Sequence, residues 1–132
     1  MAFQLKNNSS IALLVLLIIS LYSSLASAQY SGTATFTEPP YTPSACYHNE
    51  DHGVLVAAAN TELYLRGVKC GEYYQIRCIS IPGNDPCLGG TTTVMITDHC
   101  DDPKCPALVL SKDAFAAIAD LDAGVINMDM TL

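Results

Sequence analysis

Residues 97–111, TDHCDDPKCPALVLS, hold the densest group of chemically reactive side chains in the chain. Histidine, aspartate and cysteine are all metal ligands by type, so a zinc site is the first chemistry to consider. Zinc sites join two pairs of ligands, and Cys100 and Cys105 have no second pair of cysteines or histidines at a usual spacing. We therefore predict neither a metal ion nor any other cofactor.

Catalysis would otherwise need a serine, a free thiol or a pair of carboxylates. The even number of cysteines leaves no thiol spare, and the chain has no Gly-x-Ser-x-Gly turn. A glycosidase needs two carboxylates that flank the scissile bond. Asp98 follows an apolar strand pattern and is the first candidate, with Asp101, Asp102 or Asp113 as its partner. The residues alone allow such a pair and do not favour it.

The first 28 residues have the layout of a secretory signal peptide. Lys6 supplies a positive start, residues 11–19 are all apolar, and Ala-Ser-Ala at 26–28 is a small-residue cleavage site. This apolar run is too short to cross a bilayer, which takes about 20 residues. We therefore predict a signal peptide at 1–28, one extracellular domain at 29–132, and no membrane insertion.

The predicted domain is acidic. Removal of Lys6 with the leader leaves five basic and 13 acidic residues, a net charge of −8. Such a surface repels phosphate backbones and anionic lipid, so nucleic acid is excluded as a partner. Uncharged glycans and basic proteins remain open, and we expect a monomer.

All the cysteines lie within the predicted domain. They are Cys46, Cys70, Cys78, Cys87, Cys100 and Cys105. An even number of cysteines in a short secreted chain predicts a disulfide framework, although the spacing does not decide which cysteines pair.

Hydrophobic periodicity predicts a mainly β domain with two short helices. The predicted strands are 31–37, 54–59, 73–79, 92–97 and 125–132, the last with Leu132 on its inner face. Asn60 is suited to cap a helix at 61–66, and Ser111 to cap another at 112–119. Prolines make 37–46 an extended loop. Closing such short strands into a small barrel would remove their exposed edges.

Several sequence blocks resemble a known family. GTATFT, PSACY, AAANTELYLRGVKCGEYYQIRC, TTTVMITDHC and CPALVLSKDAFAAIADLDAGVINM are similar, in this order, to plant natriuretic peptide-like proteins. These are single-domain, endoglucanase-45-like relatives of expansins. The resemblance implies a six-stranded double-psi β-barrel with two short helices and three disulfides. It further implies the pairs Cys46–Cys70, Cys78–Cys87 and Cys100–Cys105.

The resemblance also indicates that the catalytic acid is missing. The hydrolases of this superfamily place an aspartate at the position of Val109, and valine can neither donate a proton nor hold a charge. Asp98 and Thr35 match the other polar groups of the expansin groove, whereas Thr37 replaces a tyrosine. We therefore predict a protein that is not an enzyme. Tyr47 and Tyr73 join Thr35 and Asp98 as candidate glycan-binding residues.

The resemblance implies signalling in water and solute homeostasis in the apoplast, through a plasma-membrane receptor. The predicted signalling surface is the first helix of the domain, with Asn60, Glu62, Tyr64 and Arg66. One alternative is binding or loosening of cell-wall polysaccharide without hydrolysis. A further alternative is a barwin-like defence protein.

Overall fold

The computed structural model describes the backbone of residues 2–24 and 27–132. Helix α1 spans Ala2–Ser24 and contains the apolar run at 11–19, whose side chains are exposed. Within these two ranges, no helix combines the length and the apolar character that a membrane span requires. The predicted cleavage site begins at Ala26, which lies outside the described residues, so the leader stays a prediction.

The rest of the chain contains six strands and two short helices. The strands are β1 Gln29–Thr37, β2 Val56–Asn60, β3 Tyr73–Ile79, β4 Thr92–Cys100, β5 Leu108–Ser111 and β6 Ile126–Thr131. Helix α2 is Thr61–Leu65, helix α3 is Lys112–Ile118, and a 3-10 turn follows at Leu121–Ala123. This content confirms the predicted mainly β class with two short helices in the domain.

The strands close into a barrel in the order β1-β5-β2-β4-β3-β6. Strands β1 and β5 run parallel, as do β2 and β4, and the other four pairs are antiparallel. Every strand therefore has a neighbour on both sides, and the barrel has no free edge. The closed barrel confirms the architecture that the strand pattern predicts.

The core fills the inside of the barrel with small and branched side chains. Inward-facing residues with no more than 3% exposure include Ala34, Ala57, Ala59, Ile76, Val94, Ile96, Leu108, Leu110, Met128 and Met130. Helix α3 packs against β1, β4 and β5, and the rings of Phe115 and Phe36 lie 4.9 Å apart between centroids. Burial of these apolar groups is the main stabilising contribution to the fold.

Both predicted helix caps are confirmed. The side chain of Asn60 accepts a hydrogen bond from the backbone N–H of Leu63 at 2.9 Å, at the start of α2. The hydroxyl of Ser111 accepts one from the N–H of Ala114 at 3.3 Å, at the start of α3. Each cap satisfies a backbone donor that the first turn of a helix leaves without a partner.

The structure corrects several strand boundaries, most of them by one to three residues. Leu132 lies beyond β6 and is 48% exposed, so it does not continue the inner face. Val54 and Leu55 are exposed and precede β2, which begins at Val56. Strand β4 continues past residue 97 to Cys100, because its last residues pair in parallel with the end of β2 at Asn60.

Three disulfides cross-link the domain: the first joins two loops, and the other two each join a strand to a loop. They are Cys46–Cys70, Cys78–Cys87 and Cys100–Cys105, the same pairs that the family resemblance implies. Within the described part of the chain no cysteine is free. The first bridge closes the longest loop, with a sequence separation of 24 residues, so it constrains the unfolded chain most.

Candidate functional site

A groove with a volume of about 180 Å³ runs across one side of the barrel, over β2 and its two neighbours. The proline-rich segment after β1 forms its wall. The lining residues are Thr37, Pro40, Tyr41, Pro43, Val56, Ala57, Ala58, Thr97, Asp98, Val109 and Ser111. Among them Asp98 is the only carboxylate, and none carries a positive charge.

A β-bulge turns Asp98 toward this groove. Along β4, Val94 and Ile96 face the core, so strict alternation would bury residue 98 as well. The pairing with β2 shifts instead: Ala57 is opposite Ile96, whereas Ala58 is opposite Asp98. The extra residue, Thr97, reverses the alternation and places the carboxylate on the outside of the barrel.

Asp98, Ala58 and Val109 form one row across three neighbouring strands. Ala58 is the register partner of Asp98 on one side and of Val109 on the other. Because neighbouring strands lie about 4.8 Å apart, the backbones of residues 98 and 109 are separated by about 9–10 Å. This spacing is close to that of the two carboxylates in an inverting glycosidase, about 6.5–9.5 Å. The second carboxylate is absent here, because position 109 is a valine.

The carboxylate of Asp98 also holds the rim of the groove. Its Oδ1 accepts hydrogen bonds from the backbone N–H of Ala45 at 2.8 Å and of His99 at 2.9 Å. The backbone N–H of Cys46 donates to Thr97 O at 3.0 Å, next to the first of these bonds. Oδ2 of Asp98 has no hydrogen-bond partner among the described residues. One oxygen is therefore structural, and the other is available to a ligand.

The wall of the groove is fixed by Tyr41. Its hydroxyl donates to Thr37 O at 3.0 Å and accepts from the backbone N–H of Lys112 at 3.0 Å. The Lys112 side chain forms an ion pair with Glu38 at 3.1 Å. These contacts tie the segment after β1 to the start of α3. The proline and tyrosine content of residues 39–43 was the sequence signal that could have identified this wall.

Three of the predicted glycan-binding residues lie outside the groove. The hydroxyl of Thr35 donates to Gly124 O at 2.8 Å, so it is committed to the turn before β6. Tyr47 packs its ring on His52, with centroids 4.1 Å apart, inside the loop before β2. Tyr73 is 60% exposed at the start of β3. From the predicted set, the structure brings only Asp98 to the groove.

The predicted signalling residues divide between two places. Asn60, Glu62 and Arg66 line a second cavity of about 320 Å³ between α2, β1 and the segment before β5. The Arg66 guanidinium lies 5.0 Å from the ring centroid of Tyr30. Tyr64 instead donates its hydroxyl to Asp98 O at 2.9 Å. Burial, followed by the charge of Asp98 and then Tyr47, raises the pKa of Tyr64, so its hydroxyl stays protonated and can donate.

The reactive segment at the end of β4 is a stapled turn. The ring Nε2 of His99 and the hydroxyl of Thr61 are hydrogen-bonded at 2.8 Å, and Cys100 is bonded to Cys105. The N–H of Lys104 donates to the side chain of Asp102 at 2.8 Å. In the described residues, histidine, cysteine, aspartate and glutamate form no cluster of three or more that could hold a metal ion.

Comparison with known proteins identifies relatives along the whole domain. The DPBB_1 family model, described as lytic transglycolase, matches residues 56–130. An EG45-like domain containing protein of Citrus jambhiri is 37% identical over 125 residues, covering 92% of this chain and 94% of the relative. EG45-like domain containing protein 2 of Arabidopsis thaliana is 40% identical over 102 residues, covering 76% of this chain and 78% of the relative.

Solved structures share the fold. A Clavibacter michiganensis expansin variant crystallised in complex with cellohexaose superposes with a TM-score of 0.61 at 22% identity. That match covers 80% of this chain and 50% of the expansin, so the chain spans half the length of that protein. A Streptomyces papain inhibitor superposes with a TM-score of 0.54, also at 22% identity, over 79% of this chain and 93% of the inhibitor. The barrel therefore has the double-psi fold that the family resemblance implies.

Proposed function

The chain belongs to the EG45-like domain containing proteins, and from this premise we propose that it is a secreted, non-catalytic protein that binds a neutral cell-wall polysaccharide in the groove over β2. The observation that carries the proposal is the row Asp98–Ala58–Val109, in which a hydrocarbon lies about two strand spacings from the only carboxylate of the groove. Secretion is supported by the three disulfides, which persist in oxidising compartments.

Binding without cleavage follows from the groove chemistry. Hydrolysis of a glycosidic bond needs one group that protonates the leaving oxygen and a second that acts as base or nucleophile. Asp98 can serve one role only, and Val109 has no proton to give. The free Oδ2 of Asp98 can accept a hydrogen bond from a sugar hydroxyl, and the ring of Tyr41 offers an apolar surface beside it. The groove has no cation to pair with an acidic sugar.

The relatives support a glycan as the ligand of the groove. The Clavibacter michiganensis expansin that shares this fold was crystallised with cellohexaose, a neutral chain of glucose units. Expansins of Arabidopsis thaliana are also among the more distant relatives, at about a third identity over shorter stretches. We carry polysaccharide binding from these proteins to the present chain as part of the proposal.

Retention on insoluble glycans tests the groove. Protein expressed from the full chain should be retained on cellulose or xyloglucan and not on polygalacturonate. Ala58→Phe places a ring in the middle of the groove and should weaken retention, because residue 58 lies on its floor. Ala117→Phe adds the same ring on an exposed face of α3 and should leave retention unchanged. If wild type is not retained on either neutral glycan, the proposal fails.

A second assay addresses catalysis. Incubation with the same glycans should release no reducing sugar above the background of heat-treated protein. Release that disappears in Asp98→Asn would overturn the non-catalytic assignment, since that substitution removes the only carboxylate of the groove. Asp101→Asn, an exposed change outside the groove, is the matched control.

The surface of α2 supports a second candidate, signalling of the plant natriuretic peptide type through a membrane receptor. Glu62 and Leu65 on this helix and Arg66 directly after it are exposed, Leu65 at 83%. Treatment of plant protoplasts with the disulfide-bonded protein should change their volume. Leu65→Ser should weaken the response, whereas Leu88→Ser, at a leucine that is 64% exposed elsewhere on the surface, should not.

A further inference from the structure

A polar cavity lies on the side of the barrel opposite the groove. The groove is centred on β2, and in the ring of six strands β6 is diametrically across from β2. The cavity over β6 has a volume of about 220 Å³. Its lining is Gln29, Gln75, Arg77, Thr91, Asp129 and Thr131, all of them polar. The two sites therefore do not share a residue.

Strand register assembles this cavity from distant parts of the sequence. Thr131 on β6 is opposite Gln29 on β1 and Gln75 on β3. One step along the outer face, Asp129 is opposite Ser31 and Arg77. Because alternate residues of a strand share a face, two rows of polar side chains point outward together.

Most of the hydrogen-bonding capacity in this cavity is unused. The hydroxyl of Ser31 donates to Oδ1 of Asp129 at 2.6 Å. The side chains of Gln29, Gln75, Arg77, Thr91 and Thr131 form no hydrogen bond or ion pair with any other described residue. Arg77 and Asp129 are cross-strand partners with opposite charges, and still no ion pair joins them. A gap therefore separates a donor-only group from an acceptor-only group.

We infer that this cavity is a second binding site, for neutral glycans with adjacent free hydroxyls. A sugar hydroxyl both donates and accepts, so it can donate to Asp129 while it accepts from the guanidinium of Arg77. The amides of Gln29 and Gln75 offer the same two functions to a neighbouring hydroxyl. The net charge of −8 on residues 29–132 opposes a polyanionic chain such as polygalacturonate.

The site would make the protein bivalent. With the proposed groove ligand on one side and this site on the other, one molecule could hold two glycan chains at once. The second site does not depend on the groove, so each can be tested in the absence of the other.

Backbone amide shifts in nuclear magnetic resonance spectra provide the test. Cellohexaose is titrated into Ala58→Phe, in which the groove is filled, and trigalacturonate is titrated in parallel. We expect cellohexaose to shift the amide signals of Gln75, Arg77, Asp129 and Thr131. Gln75→Ala/Arg77→Ala in the same background should weaken this binding about tenfold or more, as expected for two lost hydrogen bonds.

Thr93→Ala is the matched control. Thr93 is exposed and opposite Gln75 on β4, yet it does not line the cavity, so cellohexaose binding should be unchanged. Absence of shifts at these amides with cellohexaose would overturn the site. Shifts that survive the double substitution would do the same, and tighter binding of trigalacturonate would overturn the ligand class. Failure of the groove proposal appears separately, as equal cellohexaose binding by wild type and Ala58→Phe.

Discussion

The groove side and the opposite side of the barrel use their polar side chains differently. In the groove, Asp98 Oδ1 accepts from two backbone N–H groups, and the hydroxyl of Tyr41 donates to one backbone carbonyl and accepts from one backbone N–H. Over β6, glutamine, arginine and threonine side chains have no partner among the described residues. Polar groups on the first side hold loops in place, whereas those on the second remain available to solvent or ligand.

This difference means that the two sides should respond differently to mutation. A substitution in the groove removes contacts that shape the site, so stability and binding change together. Substitution of Gln29, Gln75, Arg77, Thr91 or Thr131 over β6 removes no internal hydrogen bond or ion pair, so it can affect binding with little change in stability.

The largest effect is expected for the first disulfide. Cys46→Ser/Cys70→Ser frees the loop that carries the rim of the groove and should lower the free energy of unfolding by about 2–5 kcal/mol. Urea denaturation in a buffer without reducing agent measures this loss of stability. Cys100→Ser/Cys105→Ser removes a bridge that closes a loop with a separation of only five residues, so it should cost less. Equal stability of wild type and the first variant would contradict a structural role for the rim.

A smaller loss is expected at Asp98. Asp98→Ala leaves the N–H groups of Ala45 and His99 without their acceptor and should cost about 1–3 kcal/mol. Asp98→Asn keeps an oxygen that can accept these bonds, so it should lose less than Ala. Hydrogen exchange at the amide of Ala45 locates the effect. If exchange there is the same in Asp98→Ala and wild type, the carboxylate does not hold the rim.

Alkaline pH should destabilise the protein through the buried hydroxyl of Tyr74. Tyr74 is 1% exposed, and burial, followed by the charge and hydrogen bond of Glu72, raises its pKa well above the usual value. In the unfolded chain this tyrosine ionises near pH 10 and loses its proton, while the folded state keeps it. The stabilisation is therefore complete below about pH 10 and falls by about 1.4 kcal/mol per pH unit above it.

Tyr74→Phe isolates this contribution. Its melting temperature should fall less steeply than that of wild type between about pH 10 and 12, because no proton at residue 74 is then linked to unfolding. Tyr73→Phe, at the exposed neighbouring position, should retain the wild-type steepness. Parallel curves for Tyr74→Phe and wild type would show that Glu72 and burial do not protect this hydroxyl.

Local signals in the sequence were sufficient for much of the fold. Cap residues Asn60 and Ser111 and the alternation in β3 and β6 predicted these elements, because the interactions involved span only a few residues. Strand β5 is only four residues long, and three of them are buried, so its sequence does not alternate. Hydrophobic periodicity alone could therefore not distinguish it from a loop.

The two sites depended on information that the sequence does not show locally. Asp98 faces the groove only because a bulge at Thr97 shifts its pairing with β2. Arg77 and Asp129 meet through the register of β3 and β6, which are separated by half the domain. Thr35 matched the family pattern, yet its hydroxyl donates to the carbonyl oxygen of Gly124. These two residues are 89 positions apart, so no local sequence pattern could predict the bond.

The smallest effect is expected on the side over β6. Gln75→Ala and Thr131→Ala each remove a side chain that has no hydrogen-bond partner among the described residues, so each should change the free energy of unfolding by less than about 0.5 kcal/mol. Urea denaturation measures both, with Thr93→Ala as an exposed β4 control. A loss above about 1 kcal/mol at either position would mean that these side chains hold the barrel together, as Asp98 holds the rim. Polar side chains on both sides of the barrel would then stabilise the fold, and the polar surface over β6 would no longer indicate a ligand.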